Sequence, residues 1–255
     1  MIDPYVYKNT ETLINNLGIM EKEKLEQAES LITSLKILKI DESLKNEMID
    51  FSYIQKIHKY IFEDIFPFAG EVRTIPIEKS EIILGGDTVR YAAPGKVIQE
   101  GEKILNRMDN TSWKDMNFEE KSLEYSKRIA ELWQVHPFRE GNTRTVMTFA
   151  RHYAEKNGFP LDQEILKNNA AYVRNALVKA SDGIYSEYGY LQKIMKESME
   201  NGKKIELKNF MEKELKTGKE ETIIFRSMLK SENYQEDEKN IIKQLYKEIV
   251  PNLER

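Results

Sequence analysis

The stretch His136-Pro-Phe-Arg-Glu-Gly-Asn-Thr-Arg-Thr145 constrains the fold of this chain more than any other. It lies between two helical patterns, so it must end one helix and begin the next. Gly141-Asn142 can enter backbone conformations that most residues avoid. Arg144 follows at the start of a helix predicted to run to about Asn157, where Gly158 stops it and Pro160 prevents resumption. The first N–H groups of a helix have no partner within it and carry the positive end of its dipole. A flexible turn leading into such a start makes a nest for phosphate oxygens. Arg144 adds a fixed cationic fork. Glu140, acceptor-only when ionised, can hold a hard cation such as Mg²⁺ against those oxygens. His136 is one of three histidines, and a histidine's ordinary pKa of about 6.5 leaves most of it neutral and able to take a proton at pH 7. Taken singly, each residue fits a solvated helix–helix connection better. Taken together, base, carboxylate, glycine turn and arginine stand in the order a phosphate-transfer site needs.

Composition narrows the class. A chain of 255 residues, 40% apolar, can build one large domain or a domain with an appendage. The net charge of −4, from 39 basic and 43 acidic residues, gives no basic excess for nucleic acid and no polybasic run for a membrane surface. Cysteine is absent, which excludes disulfides, a thiolate nucleophile and a thiolate metal site. No apolar run approaches the ~18 residues of a spanning helix, and no signal peptide is evident. These features predict a cytoplasmic protein; delivery by a specialised secretion system would leave no mark of this kind.

Periodicity predicts helices over most of the length. Glu21–Ile37 carries Leu25, Ala28, Leu31, Ile32 and Leu35 as its inner face. Asp41 is the expected cap of the next helix, whose inner face holds Met48, Phe51, Ile54, Ile57, Ile61 and Phe62. His58 on that helix reads as structural. Pro94 suits the first turn of a helix to about Met108, and Asn117 or Asp115 caps a long one to about Val135. The only β signal is Val72–Ile77 and Asp87–Tyr91, flanking Gly85-Gly86, which predicts a small hairpin. Its Ile82-Ile83-Leu84 is apolar for an exposed loop and suggests a docking role. Tyr188–Met199 is predicted to stop at Asn201-Gly202. From Lys203 the chain becomes rich in lysine and glutamate while keeping helical periodicity. The expected division is therefore 1–202 and a helical appendage, 203–255.

The central stretch resembles the signature loop of the Fic/Doc family, His-x-Phe-x-Asp/Glu-Gly-Asn-Gly-Arg-x-x-Arg. It departs from it at Thr143, in place of a glycine, and at Met147, in place of the second arginine. Phe68-Ala-Gly-Glu-Val-Arg73-Thr74 resembles the family's Ala-Gly-x-x-Arg segment. Tyr5 to Ile19 is similar to the opening of Fic proteins of the bacterial toxin and secreted-effector branch. The resemblance implies an all-α, Fic-type helical bundle with one small β-hairpin, the flap, over the active site. It implies transfer of AMP from ATP to a Ser, Thr or Tyr hydroxyl of a target protein, with release of pyrophosphate. His136 would be the catalytic base and Glu140 the Mg²⁺ ligand. Gly141, Asn142, Thr143 and Arg144 would receive the phosphates, and Phe138 would anchor the loop. Lys79 and Ser80, early in the flap, would contact nucleotide or target. The target would pair with the flap edge through backbone hydrogen bonds, and self-modification is compatible with the same site. Two alternatives stay open: Doc-like phosphoryl transfer with an inverted nucleotide, and a degenerate protein that binds nucleotide or a partner without transfer.

Many Fic proteins carry an inhibitory Ser/Thr-x-x-x-Glu-Gly/Asn helix, internal or in a separate antitoxin, whose glutamate pairs with the second arginine. No full match occurs here. Two near-matches are Ser43–Glu47, followed by Met48, and Thr217–Glu221, followed by Thr222. With Met147 at the arginine's place, the expectation is no glutamate brake of the usual kind.

Overall fold

The computed structural model describes residues 3–44 and 49–249; helix is the dominant structure, with no sheet among the described residues. No helix among them is long and apolar enough to cross a membrane. The chain divides into two compact units.

The first unit comprises Met1–Thr111, Arg128–Ala150 and Leu177–Ser186. It holds α1 (Lys22–Ser43), α2 (Phe51–Phe62) and α3 (Val97–Asp109). It also takes the C-terminal part of α4 (Phe118–Val135), the N-terminal part of α5 (Asn142–Lys156) and the end of α7 (Ala170–Ala180). Helix α2 supplies the centre of the core. Ile54, Ile57 and Ile61 are spaced at three and four residues and are fully buried, each contributing about 1.5–3 kcal/mol by removal from water. Asp50 caps this helix, accepting the Tyr53 N–H at 2.9 Å. Asp41, the expected cap, lies instead inside α1, and Met48 is outside the described residues.

Helix α1 runs longer than its sequence pattern predicts and shows a different face to the core. Leu31 and Leu35 are 65% and 54% exposed, whereas Leu25, Glu29, Thr33 and Ile40 are buried. Leucines lie all round this helix, so apolar spacing does not choose its inner face. The choice falls to Glu29 and Thr33, which find polar partners inside the unit.

The predicted hairpin is a looped excursion held by one antiparallel bridge, Ser80 to Thr88, with a 3₁₀ turn at Ile82–Leu84. Glu81 N–H donates to Asp87 O at 2.8 Å, and Gly85 and Gly86 both take positive φ to reverse the chain. The flanking segments do not pair as strands. Pro76 has no N–H to give, and Arg73 N–H donates to Pro137 O rather than across a ladder. Ile82 at its tip is 95% exposed.

The second unit comprises Ser112–Lys127, Arg151–Ala176 and Glu187–Arg255. The start of α4 is a reciprocal capping box: Asn117 Oδ1 accepts the Glu120 N–H at 3.0 Å, and Glu120 Oε2 accepts the Asn117 N–H at 3.1 Å. Trp113, Tyr125, Tyr153 and Phe159 form a ring cluster, with the Trp113 indole N–H donating to the Tyr153 hydroxyl. After α6 (Gln163–Asn168) comes α8 (Gly189–Leu215), which runs straight through Asn201-Gly202, where the sequence predicts a stop. Gly202 serves close approach rather than termination. A Cβ there would lie 2.1 Å from the Pro160 carbonyl oxygen. Beyond it, α8 packs with α9 (Glu221–Lys230) and α10 (Glu236–Ile249) around Leu207, Met211, Ile224, Met228, Ile242 and Leu245.

Candidate active site

Helix α4 ends at Val135 and the chain turns at once. His136 has φ of 49°, a left-handed conformation that costs a non-glycine residue roughly 1–2 kcal/mol. A glycine normally fills this position after a helix; here the turn carries an imidazole. Arg73, itself buried, receives the turned carbonyl, its Nε–H donating to His136 O at 2.7 Å. The His136 ring stacks on Tyr91 with centroids 3.9 Å apart and meets the edge of Trp133 at 5.4 Å. The catalytic candidate is therefore fixed through both backbone and ring.

The loop that follows is closed by the Asn142 side chain. Its Oδ1 accepts the Phe138 N–H and its Nδ2 donates to Phe138 O, both at 2.8 Å. Phe138 is fully buried and stacks on His58 at 3.8 Å. Gly141 is required on two counts: φ is 78°, and a Cβ would sit 2.2 Å from the Phe62 ring. His58 joins this floor to the loop. Its Nδ1 accepts the Gly70 N–H at 2.8 Å, so the proton sits on Nε2, which donates to Glu140 O at 3.0 Å. Burial pushes the His58 pKa down to about 3, so the ring is neutral.

At the start of α5, Glu140 and Arg144 face a cavity of about 470 Å³ that Glu11, Lys22, Glu26 and Glu29 also line. The Glu140 carboxylate accepts the Gly141 N–H at 3.0 Å, and Lys79 Nζ lies 3.6 Å from its other oxygen. Burial pushes its pKa up, but Lys79, the Gly141 N–H, Arg144 and Arg139 outweigh that and hold it below the ordinary value. It is an anion at neutral pH with a cation already at its open side. Arg144 lies over the Phe62 ring at 4.9 Å and 3.9 Å from Glu140. It donates to Thr33 Oγ1 at 3.0 Å and makes a short ion pair with Glu29 from α1. Burial raises the Glu29 pKa despite the opposing pull of Arg144.

Of the residues singled out from the sequence, His136, Glu140, Gly141, Asn142, Thr143 and Arg144 stand together on this loop and helix start, and Lys79 is brought to them from the flap. Ser80 is not; its hydroxyl donates to Gly86 O and closes the flap turn. Thr143 sits in the first turn of α5, where no positive φ is needed, and its hydroxyl accepts the Trp133 indole N–H at 2.9 Å. The side chain that departs from the family pattern thus ties α5 to α4. Arg151 engages Glu155 at 3.9 Å and His152 at 2.8 Å.

Sequence reasoning missed Glu29, Thr33, His58 and Arg73 as parts of the site. A Glu-x-x-x-Thr pair in the apolar stripe of α1 was the available signal for the first two. A glutamate does occupy a signature arginine, but it comes from outside both near-matches to the inhibitory pattern and it pairs with the first arginine. Of those near-matches, Glu47 lies outside the described residues and Glu221 opens α9.

Residues 48–154 match the Fic/DOC family. The chain is 29% identical over 191 residues to the protein adenylyltransferase VbhT of Bartonella schoenbuchensis, covering 73% of this chain and 36% of that protein. It is 31% identical over 232 residues to a protein adenylyltransferase of Bartonella henselae, covering 84% and 40%. It therefore spans well under half the length of each. Its fold is similar to that of BepC, a VirB-translocated effector of Bartonella tribocorum solved with bound AMPPNP. There the TM-score is 0.63 at 22% identity, covering 76% of this chain and 95% of that one.

Proposed function

Taking as premise that residues 48–154 make this chain a member of the Fic/DOC family, we propose that it transfers AMP from ATP to a hydroxyl side chain of a protein. One observation carries the reading. A histidine fixed by Arg73, Tyr91 and Trp133 shares one loop with an ionised glutamate, and that loop leads into a helix start bearing an arginine, in a chain whose similar proteins are adenylyltransferases.

The chemistry follows from these residues. The triphosphate lies against the first N–H groups of α5, and Arg144 pairs with its oxygens. To do so it must displace Glu29 from the guanidinium. His136 takes the proton of the attacking hydroxyl. The hydroxyl oxygen forms a bond to the α-phosphorus, the bond from that phosphorus to the bridging oxygen of the β-phosphate breaks, and pyrophosphate leaves. Stacking on Tyr91 keeps the imidazole from swinging away between turnovers.

Glu140 fits a Mg²⁺ ligand. It is ionised and faces the cavity, and Mg²⁺ commonly takes one or two carboxylates with substrate phosphates supplying the rest. Among the described residues no cluster of three acidic or histidine side chains would hold a metal unaided. When bound, Mg²⁺ would neutralise phosphate charge. The exposed tip of the flap, Ile82, suits contact with the target segment.

The test is incubation with ATP labelled at either the α- or the γ-phosphate. Protein-bound label from the α position, with pyrophosphate released, is expected. Label from the γ position would favour phosphoryl transfer, and no label with tight ATP binding would favour a non-transferring protein.

A further inference from the structure

Arg73 is nearly inaccessible and has no carboxylate partner among the described residues, and its guanidinium donates to main-chain oxygens. Its Nε–H donates to His136 O at 2.7 Å and its Nη2 to Val135 O at 3.5 Å. Its own backbone N–H donates to Pro137 O at 2.9 Å. Three successive carbonyls at the end of α4 are thus bound by one residue. The last carbonyls of a helix lack intrahelical partners and carry the negative end of its dipole, which suits a buried cation. The remaining donors point elsewhere. Nη1 donates to Ile75 O at 2.8 Å, in the limb entering the flap, and Nη2 also donates to Ala92 O, at the end of the limb leaving it.

We infer that Arg73 is a positioning residue for transfer, setting the left-handed backbone of His136 and joining it to both limbs of the flap. The inference rests on the reaction proposed above. Only a planar fork can serve carbonyls on three segments at once; a lysine ammonium cannot reproduce those directions. Releasing the His136 carbonyl would let φ relax and would move the imidazole relative to a hydroxyl presented by the flap. A displacement of about 1 Å at a reacting group is enough to cost ~100-fold in rate.

The experiment compares the full chain with Arg73→Lys and Arg73→Gln. For the folded variants, kcat for AMP transfer should fall by about 100-fold while ATP affinity stays within about threefold. The ¹³Cα and ¹³Cβ shifts of His136 should also lose their left-handed signature. An unchanged kcat, or a His136 signature that survives substitution, would overturn the inference. A parallel loss of ATP affinity and kcat would equally overturn it, since that is what general loosening produces. If the wild-type chain transfers no AMP, the reaction reading has failed, and the His136 shifts then judge the backbone role alone. Should neither variant fold, the wild-type Arg73 Nε–H resonance decides. Slow solvent exchange and a scalar coupling to the His136 carbonyl are expected, and fast exchange would refute the contact.

Discussion

His58 predicts a pH dependence of stability that can be worked through. Its ring is held neutral in the fold with a pKa of about 3, against an ordinary value of 6.5. Between those values the unfolded chain binds more protons than the folded one, so stability falls as pH drops below 6.5. Each pKa unit is about 1.4 kcal/mol, so lowering the pH from about 7.5 to about 5 should cost about 2 kcal/mol through this residue. Protonating Nδ1 would also abolish its acceptance of the Gly70 N–H and loosen the support under Glu140. The perturbation is His58→Gln, which removes the titration. The assay is urea unfolding at both pH values, followed on the fluorine resonance of 5-fluorotryptophan at Trp133, which shares a unit with His58. Other groups titrate in both proteins, so the informative quantity is the difference between them. The variant should lose about 2 kcal/mol less than wild type on acidification. Equal losses would show that His58 is not held neutral, and the floor described beneath the loop would be wrong.

Other outcomes follow from the same geometry. His136→Ala should leave ATP binding nearly intact but reduce transfer by at least ~100-fold in single-turnover assays; a near wild-type rate would remove His136 as the base. Glu29→Gln removes the carboxylate that competes with phosphate for Arg144, so ATP affinity measured by calorimetry should rise roughly fivefold, about 1 kcal/mol for a part-exposed pair. Unchanged or weaker affinity would mean that Glu29 does not oppose the nucleotide. Gly202→Ala drives a Cβ into the Pro160 carbonyl and should cost about 1–3 kcal/mol in the second unit, read by hydrogen exchange there. A neutral effect would contradict the close approach.

Much of the site was legible because its chemistry is local. His136, Glu140, Gly141, Asn142 and Arg144 fall within nine positions, and a glycine-bearing turn before a helix has one simple physical reading. The Asn117 cap and the Pro94 start were legible for the same reason: a cap is a contact with the next few residues. What escaped depends on partners far along the chain. Glu29 is buried because Arg144, 115 residues later, turns α1 toward it. Nothing within α1 outweighs Leu31 and Leu35 as inner residues. His58 reads as an ordinary core histidine until Glu140 O, 82 residues away, is placed on its Nε2. Gly202 reads as a stop until the Pro160 carbonyl is seen against it. The hairpin fell short because the Arg73 N–H goes to Pro137 O on the active loop and the Ile75 carbonyl is taken by the Arg73 side chain, so neither serves a ladder.

The central claim is that a His136-dependent reaction leaves one adenylate on a hydroxyl side chain. It is tested most directly by intact-mass measurement of the chain after incubation with ATP and Mg²⁺, alone and with candidate targets, followed by fragmentation of any shifted species. The account predicts a mass increase of one AMP unit on a Ser, Thr or Tyr, absent with His136→Ala. A mass increase of one phosphate, or an adenylate that persists without His136, would contradict it.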